Sequence, residues 1–177
     1  MTEPTVDVPR EAAPPPRTAF WRSRDTLWLI IPALAGVVLG VLWWVLAPGG
    51  LNVLSGNPEL ANPSNPGSWL PRDLVLAAIM VAAGCVVGLA LDGKLNGAGT
   101  GRRFGLALAG GAVGAAVSWA VGLLAAQLWG TAPDPALGPE YGFTLRSYAV
   151  LLLWPCATAF VTFILGLFGV LSRKPVK

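Results

Sequence analysis

The chain of 177 residues is 54% hydrophobic and only 12% charged, has a net charge of +3 and contains no histidine. Soluble domains carry about 25% charged residues, so there is too little polar sequence here to coat an apolar core of this extent. Without histidine the chain also lacks the usual haem ligand, the commonest metal ligand and the proton shuttle of neutral pH.

Residues 1–25, with Pro14-Pro15-Pro16 and mixed charge, read as a disordered Pro-rich tail. Four segments then carry no Asp, Glu, Lys or Arg: Leu27–Ala47, Leu74–Leu91, Phe104–Trp129 and Ser147–Leu171. Each approaches or exceeds the roughly 20 apolar residues that a helix needs to cross a bilayer. The predicted fold is therefore an all-α membrane protein, a bundle of four transmembrane helices within residues 26–172. Residues 173–177 form a short basic tail. The cations set an orientation. Arg10, Arg17, Arg22 and Arg24 precede the first helix, Lys94, Arg102 and Arg103 separate the second from the third, and Arg173, Lys174 and Lys177 follow the fourth. Only Arg72 and Arg146 lie on the other side. Positive charge collects on the cytoplasmic side, which puts both termini in the cytoplasm and loops 48–73 and 130–146 outside. Basicity thus reports topology, and no nucleic-acid partner is expected.

The first helix, "LWLIIPALAGVVLGVLWWVLA", carries Pro32 near its start and ends without a small-x-small cleavage site. It reads as a retained signal anchor in a plasma membrane. Trp21, Trp28, Trp43, Trp44, Trp69 and Trp129 lie near predicted boundaries, where tryptophan anchors helices to the interface. Loop 48–73 holds Asn57-Pro58, Asn62-Pro63 and Asn65-Pro66, each a turn initiator; it is either a folded cap or a mobile spacer. The loop "DGKLNGAGTGRR" fails the dinucleotide fingerprint, because Arg102 stands in the place of its last glycine. It fails the P-loop for want of Gly-Lys-Ser/Thr. Lys94, Arg102 and Arg103 there are candidates for contact with anionic lipid headgroups. Across the bundle, an Asp73–Arg146 pair would join the second and fourth helices. Cys85 and Cys156 are either packing thiols or a disulfide.

Small residues recur at a spacing of four: Gly36 and Gly40, Gly84 and Gly88, then Gly110, Gly114, Ser118 and Gly122. That spacing keeps them on one helix face, where they permit the close backbone approach that holds membrane helices together. The third helix, with four such positions, is the expected centre of the bundle. In the fourth helix Pro155 predicts a kink. A cavity beside it, lined by Ser118, Trp119, Trp154 and Pro155, competes with a filled bundle whose indoles bond to backbone carbonyls. No charge lies at depth, and no paired carboxylates, nucleophile with base or metal cluster can be read. No cofactor and no independent enzymatic activity are expected. An enzyme would require the outer acids Glu59, Asp73 and Asp134 to act together.

"LWWVLAP", Asp73, "GGAVGAAVSWAVG" and "LLLWP" follow one another in an order that resembles a family of four-helix membrane proteins of actinobacteria, classed as a domain of unknown function. The likeness spans residues 27–172. It implies a plasma-membrane location and an actinobacterial source, and brings no catalytic or binding residues. The expected role is an accessory or interaction subunit of a larger membrane or envelope complex, touching lipids and another membrane protein or a second copy. The alternative is a small transporter or lipid-handling protein that uses the Trp154-Pro155 cavity.

Overall fold

The computed structural model describes residues 24–62, 64–92, 100–132, 134, 136 and 141–171. The chain forms α1 (Leu27–Leu46), a short α2 (Pro58–Ala61), α3 (Trp69–Leu91), α4 (Thr100–Trp129) and α5 (Leu153–Leu171). Single 3-10 segments precede α1 (Arg24–Thr26), α3 (Pro66–Ser68) and α5 (Tyr148–Leu152). The described residues contain no strand. The four long helices, α3 and α5 counted with their 3-10 segments, are long and apolar enough to cross a membrane. Their free surfaces suit hydrocarbon: Val38, Val86, Phe160, Phe163 and Phe168 are all well exposed. The end of the bundle where α1 finishes and α5 begins is called distal below, and the end where α1 begins and α5 finishes proximal.

Helices that follow one another in sequence are not the closest partners. α1 packs most extensively on α4, and α3 on α5. Positions along each pair advance together. Trp28 and Leu29 lie at Gly110, Pro32 and Gly36 at Gly114, and Gly40 at Ser118. Likewise Gly84 meets Trp154 and Ala157, and Gly88 meets Thr158 and Val161. Both pairs are therefore parallel. α4 and α5 run antiparallel, since Gly111 and Gly114 face Trp154 while Trp119 meets Tyr148.

Apolar side chains gain nothing by leaving lipid for a neighbouring helix, so contact must come from close packing and hydrogen bonds. Glycine supplies both. A Cβ on Gly114 would sit 2.5 Å from the Pro32 carbonyl oxygen and 3.0 Å from the Trp154 ring; one on Gly40 would sit 2.5 Å from the Ser118 carbonyl oxygen. The naked backbones then let a hydroxyl reach across. Ser118 Oγ donates to the Gly36 carbonyl at 2.9 Å, and Thr158 Oγ1 donates to the Gly84 carbonyl at 3.1 Å. One device thus fastens both parallel pairs. α4 is the most enclosed of the four spans and α5 the least, with 39% and 17% of their apolar windows buried.

Two proline expectations are modified. Pro32 lies well inside α1, is buried, and turns its carbonyl oxygen toward Gly114. Pro155 lies in the first turn of α5, directly after the 3-10 segment Tyr148–Leu152. A proline ring clashes with the carbonyl four residues back. Here the helix type changes ahead of Pro155, and the proline falls where its missing N–H costs least.

At the proximal end Asp25 accepts from Arg102 at 3.1 Å and from Arg103 at 2.8 Å. The segment before α1, placed in the disordered tail by composition, is thus held at its last residues onto the start of α4. Arg102 and Arg103 share one acid. Lys94, residues 1–23 and the tail 173–177 lie outside the described residues. Cys85 and Cys156 are both free thiols, which removes the disulfide reading.

The packing predicts opposite signs for one chemical change. Gly114→Ala drives a methyl into the Pro32 carbonyl and should destabilise the bundle by about 1–3 kcal/mol. Gly105→Ala meets nothing within 4 Å and should be neutral or stabilising by up to ~1 kcal/mol through helix propensity. Reversible unfolding in detergent measures both. Ser118→Ala should cost only about 0.6 kcal/mol, the typical worth of a hydrogen bond between membrane helices, so its loss should fall below that of Gly114→Ala in the same assay.

Candidate functional site

The polar residues that the sequence places in loops gather at the distal end, and two charged ones among them are buried. α3 begins at Trp69 rather than near residue 74. Pro71 falls in its first turn, where no amide bond is lost, so the helix takes in Arg72 and Asp73. These are 2% and 3% exposed. Burying a charge is costly unless partners surround it, and the loops provide them.

Arg72 Nη1 donates to the Gly142 carbonyl at 2.6 Å, and its guanidinium lies 5.5 Å from the centre of the Phe143 ring. Phe143 in turn packs on Trp43 at 4.5 Å between ring centres, and Trp43 Nε1 donates to the Arg72 carbonyl at 3.0 Å. Gly49 covers the guanidinium: a Cβ there would stand 3.1 Å from Nη1, and its φ of +81° suits glycine. One arginine therefore joins the end of α1, the start of α3 and residues 142–143.

Asp73 serves the other side. Its Oδ2 accepts from the Arg146 amide at 3.2 Å and from the Ser147 amide at 2.8 Å. These amides open the 3-10 segment that leads into α5, where a carboxylate is favoured by the exposed N–H groups. The expected Asp73–Arg146 ion pair is replaced by this backbone contact, and the Arg146 guanidinium sits over Trp69 at 5.7 Å. Asp73 still links α3 to α5, because amides fixed at a helix start are nearer than a long cationic side chain. Arg72 Nε and Asp73 Oδ1 have no hydrogen-bond partner among the described residues.

Loop 48–68 is a folded cap, and its Asn-Pro pairs explain how. Asn57 Oδ1 accepts from Glu59 N at 3.0 Å and Asn65 Oδ1 from Gly67 N at 2.8 Å, with Pro58 and Pro66 as the first residues of the helical turns they cap. Asn62 Oδ1 accepts from Ser64 N at 2.9 Å, and Asn65 Nδ2 donates to the Glu59 carbonyl at 3.0 Å. Ser64 Oγ accepts from Asp134 N at 3.1 Å and so ties the two distal loops together. Trp43 and Trp44, expected in an interfacial belt, are buried beneath these loops, whereas Trp129 is 66% exposed.

The sequence-predicted sites separate. All eight small residues at the spacing of four are buried, in the α1–α4 and α3–α5 contacts. Ser118, Trp119, Trp154 and Pro155 line no described cavity. Trp154 is 1% exposed and fills the notch made by Gly111 and Gly114, and the Ser118 hydroxyl is taken by Gly36. Nor do nearby hydroxyls serve the indoles. Thr158 and Thr162 donate to backbone carbonyls, and the Nε1 atoms of Trp44, Trp119 and Trp154 have no partner among the described residues. A cavity of about 420 Å³ lies instead at the distal end, between Leu123, Ala126 and Gln127 of α4 and Tyr141, Phe143 and Thr144. Among the described residues its lining carries no charged side chain. Sequence reasoning missed Arg72; the signal was its position two residues before a long apolar run.

Among the described residues no three His, Cys, Asp or Glu side chains gather as they would around a metal. Asp73 is occupied by two amides, and Glu59 lies on the exposed α2. Chemically this is a set of ties that fixes the shape of the distal face. Comparison with protein-family models, with curated proteins and with solved structures finds no match for the chain.

Arg72→Met removes the charged donor to the Gly142 carbonyl and the cation next in sequence to buried Asp73, and should destabilise the protein by about 1–3 kcal/mol. The double variant Arg72→Met/Asp73→Asn also removes the Asp73 charge and keeps an acceptor for the Arg146 and Ser147 amides. It should recover part of the loss when both are melted in the same detergent.

Proposed function

We propose that the chain is a multi-pass plasma-membrane protein, both termini cytoplasmic, acting as an accessory or interaction subunit of a larger membrane or envelope complex. The observation that carries this reading is the distal face. Buried Arg72 and Asp73, capped Asn-Pro turns and the Ser64–Asp134 contact hold an ordered surface together, while the acids and amides there serve one another. A shaped surface without a reactive constellation suits recognition by another protein. The ten-to-two distribution of Lys and Arg supports the orientation, and the order of its motifs supports kinship with the actinobacterial four-helix proteins it resembles. Lipid is the other partner, and neither a cofactor nor nucleic acid enters the proposal. The alternative role in moving a solute or lipid has less support, because Trp154 occupies the space beside Pro155 that it requires.

Purification of a tagged full-length chain from its native membrane in mild detergent, followed by mass spectrometry, should recover a larger membrane protein in fixed ratio. Recovery only as a monomer or homo-oligomer would overturn the proposal.

A further inference from the structure

The chain beyond α1 folds inside out. A helix end leaves its last carbonyls unpaired, and here all of them are taken. Trp43 O accepts from the Ala47 amide at 2.8 Å, Trp44 O from Leu51 at 3.1 Å, Val45 O from Val53 at 3.2 Å and Leu46 O from Leu54 at 3.4 Å. The amides of Leu51, Val53 and Leu54 take up carbonyls that a further helical turn would have used, so the segment lies within one turn, ~5 Å, of the end of α1. Its side chains are sorted in reverse of a loop in water. Asn52 is 4% exposed, adopts a φ of 54°, and bonds inward through Nδ2 to the Asn57 carbonyl at 2.7 Å and through Oδ1 to Ser55. Leu51, Val53 and Leu54 point outward, 56%, 63% and 66% exposed. No charged residue occurs from Leu27 to Pro58.

We propose that residues 51–54 form an interfacial wedge seated in the lipid of the distal leaflet, extending the apolar surface of the bundle beyond α1. Three observations specify lipid as the occupant. Complete pairing of the helix-end carbonyls is what a medium without water demands. The outward apolar side chains continue the exposed apolar surface of α1, which includes Val38, Val41 and Leu42. Exposed Trp129 lies 5.9 Å from Trp44, ring centre to ring centre, and marks the level at which tryptophan meets headgroups. The inference rests on the reading that the four helices span a membrane, and the test separates the two.

In a Cys85→Ala/Cys156→Ala background, Val53→Cys, Val38→Cys and Glu59→Cys are each labelled with a thiol-reactive fluorophore. The full chain is then reconstituted into phosphatidylcholine vesicles. Quenching is measured by aqueous iodide and by lipids carrying a nitroxide near the headgroup end of the acyl chain. The wedge predicts that the label at residue 53 is quenched by the nitroxide lipid and severalfold less by iodide than the label at 59. Iodide quenching at 53 equal to that at 59, with 38 shielded, would overturn the wedge while leaving the membrane-spanning reading intact. Shielding of 53 from both quenchers would assign the surface to a protein and would overturn it as well. Iodide access at 38 would overturn the membrane reading itself.

Discussion

Where no hydrophobic force draws helices together, a bundle holds only if backbones come close enough for dispersion and hydrogen bonding to act. The contact of Gly36 and Gly40 with Gly114 and Ser118, and its counterpart between Gly84 and Thr158, meets that requirement. Everything else is arranged around these two parallel pairs. Parallel partners in a chain that crosses back and forth cannot be neighbours in sequence. The pairing of α1 with α4, and of α3 with α5, therefore demands that the connecting segments pass over the ends of the bundle. The length and internal order of loop 48–68 follow from that topology.

Between the pairs the means of cohesion change with depth. At mid-bundle the seam is closed by shape: Trp154 enters the notch of Gly111 and Gly114, and its Nε1 has no partner among the described residues. A buried indole N–H without an acceptor is unfavourable by roughly 1–3 kcal/mol, so the fit of the ring must outweigh that loss. At the distal end the seam is closed by polar contacts of long reach, through Trp43, Arg72, Gly142 and Asp73. At the proximal end Asp25 bridges to Arg102 and Arg103, which ties α1 to α4.

The long helices were legible because their signal is crude: an apolar run without charge needs no partner to be recognised. The glycine spacing was legible for a related reason, since a face of small residues has few uses in an apolar helix other than contact. Which helix lies against that face was not legible, because glycine carries no mark of its partner. Arg72 and Asp73 were misplaced on the assumption that charge ends a helix. Their burial depends on Gly142, Arg146 and Ser147, some 70 residues away, and the only local trace of it is their place just before a long apolar run. The choice between a cavity and a filled bundle at Trp154 was not legible for a similar reason. Depth along a helix can be counted, but whether an indole lines a space or fills it depends on Gly111 and Gly114 of another helix.

The distal end answers a constraint that the helices alone cannot meet. Each helix terminus exposes amides or carbonyls, and at this end the chain covers several of its own. Leu51, Val53 and Leu54 give their amides to the end of α1, Asn57 and Asn65 cap the turns that follow, and Asp73 takes the amides that open the path into α5. With these backbone groups paired within the chain, the exposed side chains of this end are free to meet lipid or protein. Apolar residues at 51–54 and polar residues from Asn57 to Asn65 then divide the surface into a face suited to the bilayer and a face suited to water. That division follows from where each carbonyl and amide finds its partner, and it requires no reactive group at the distal end.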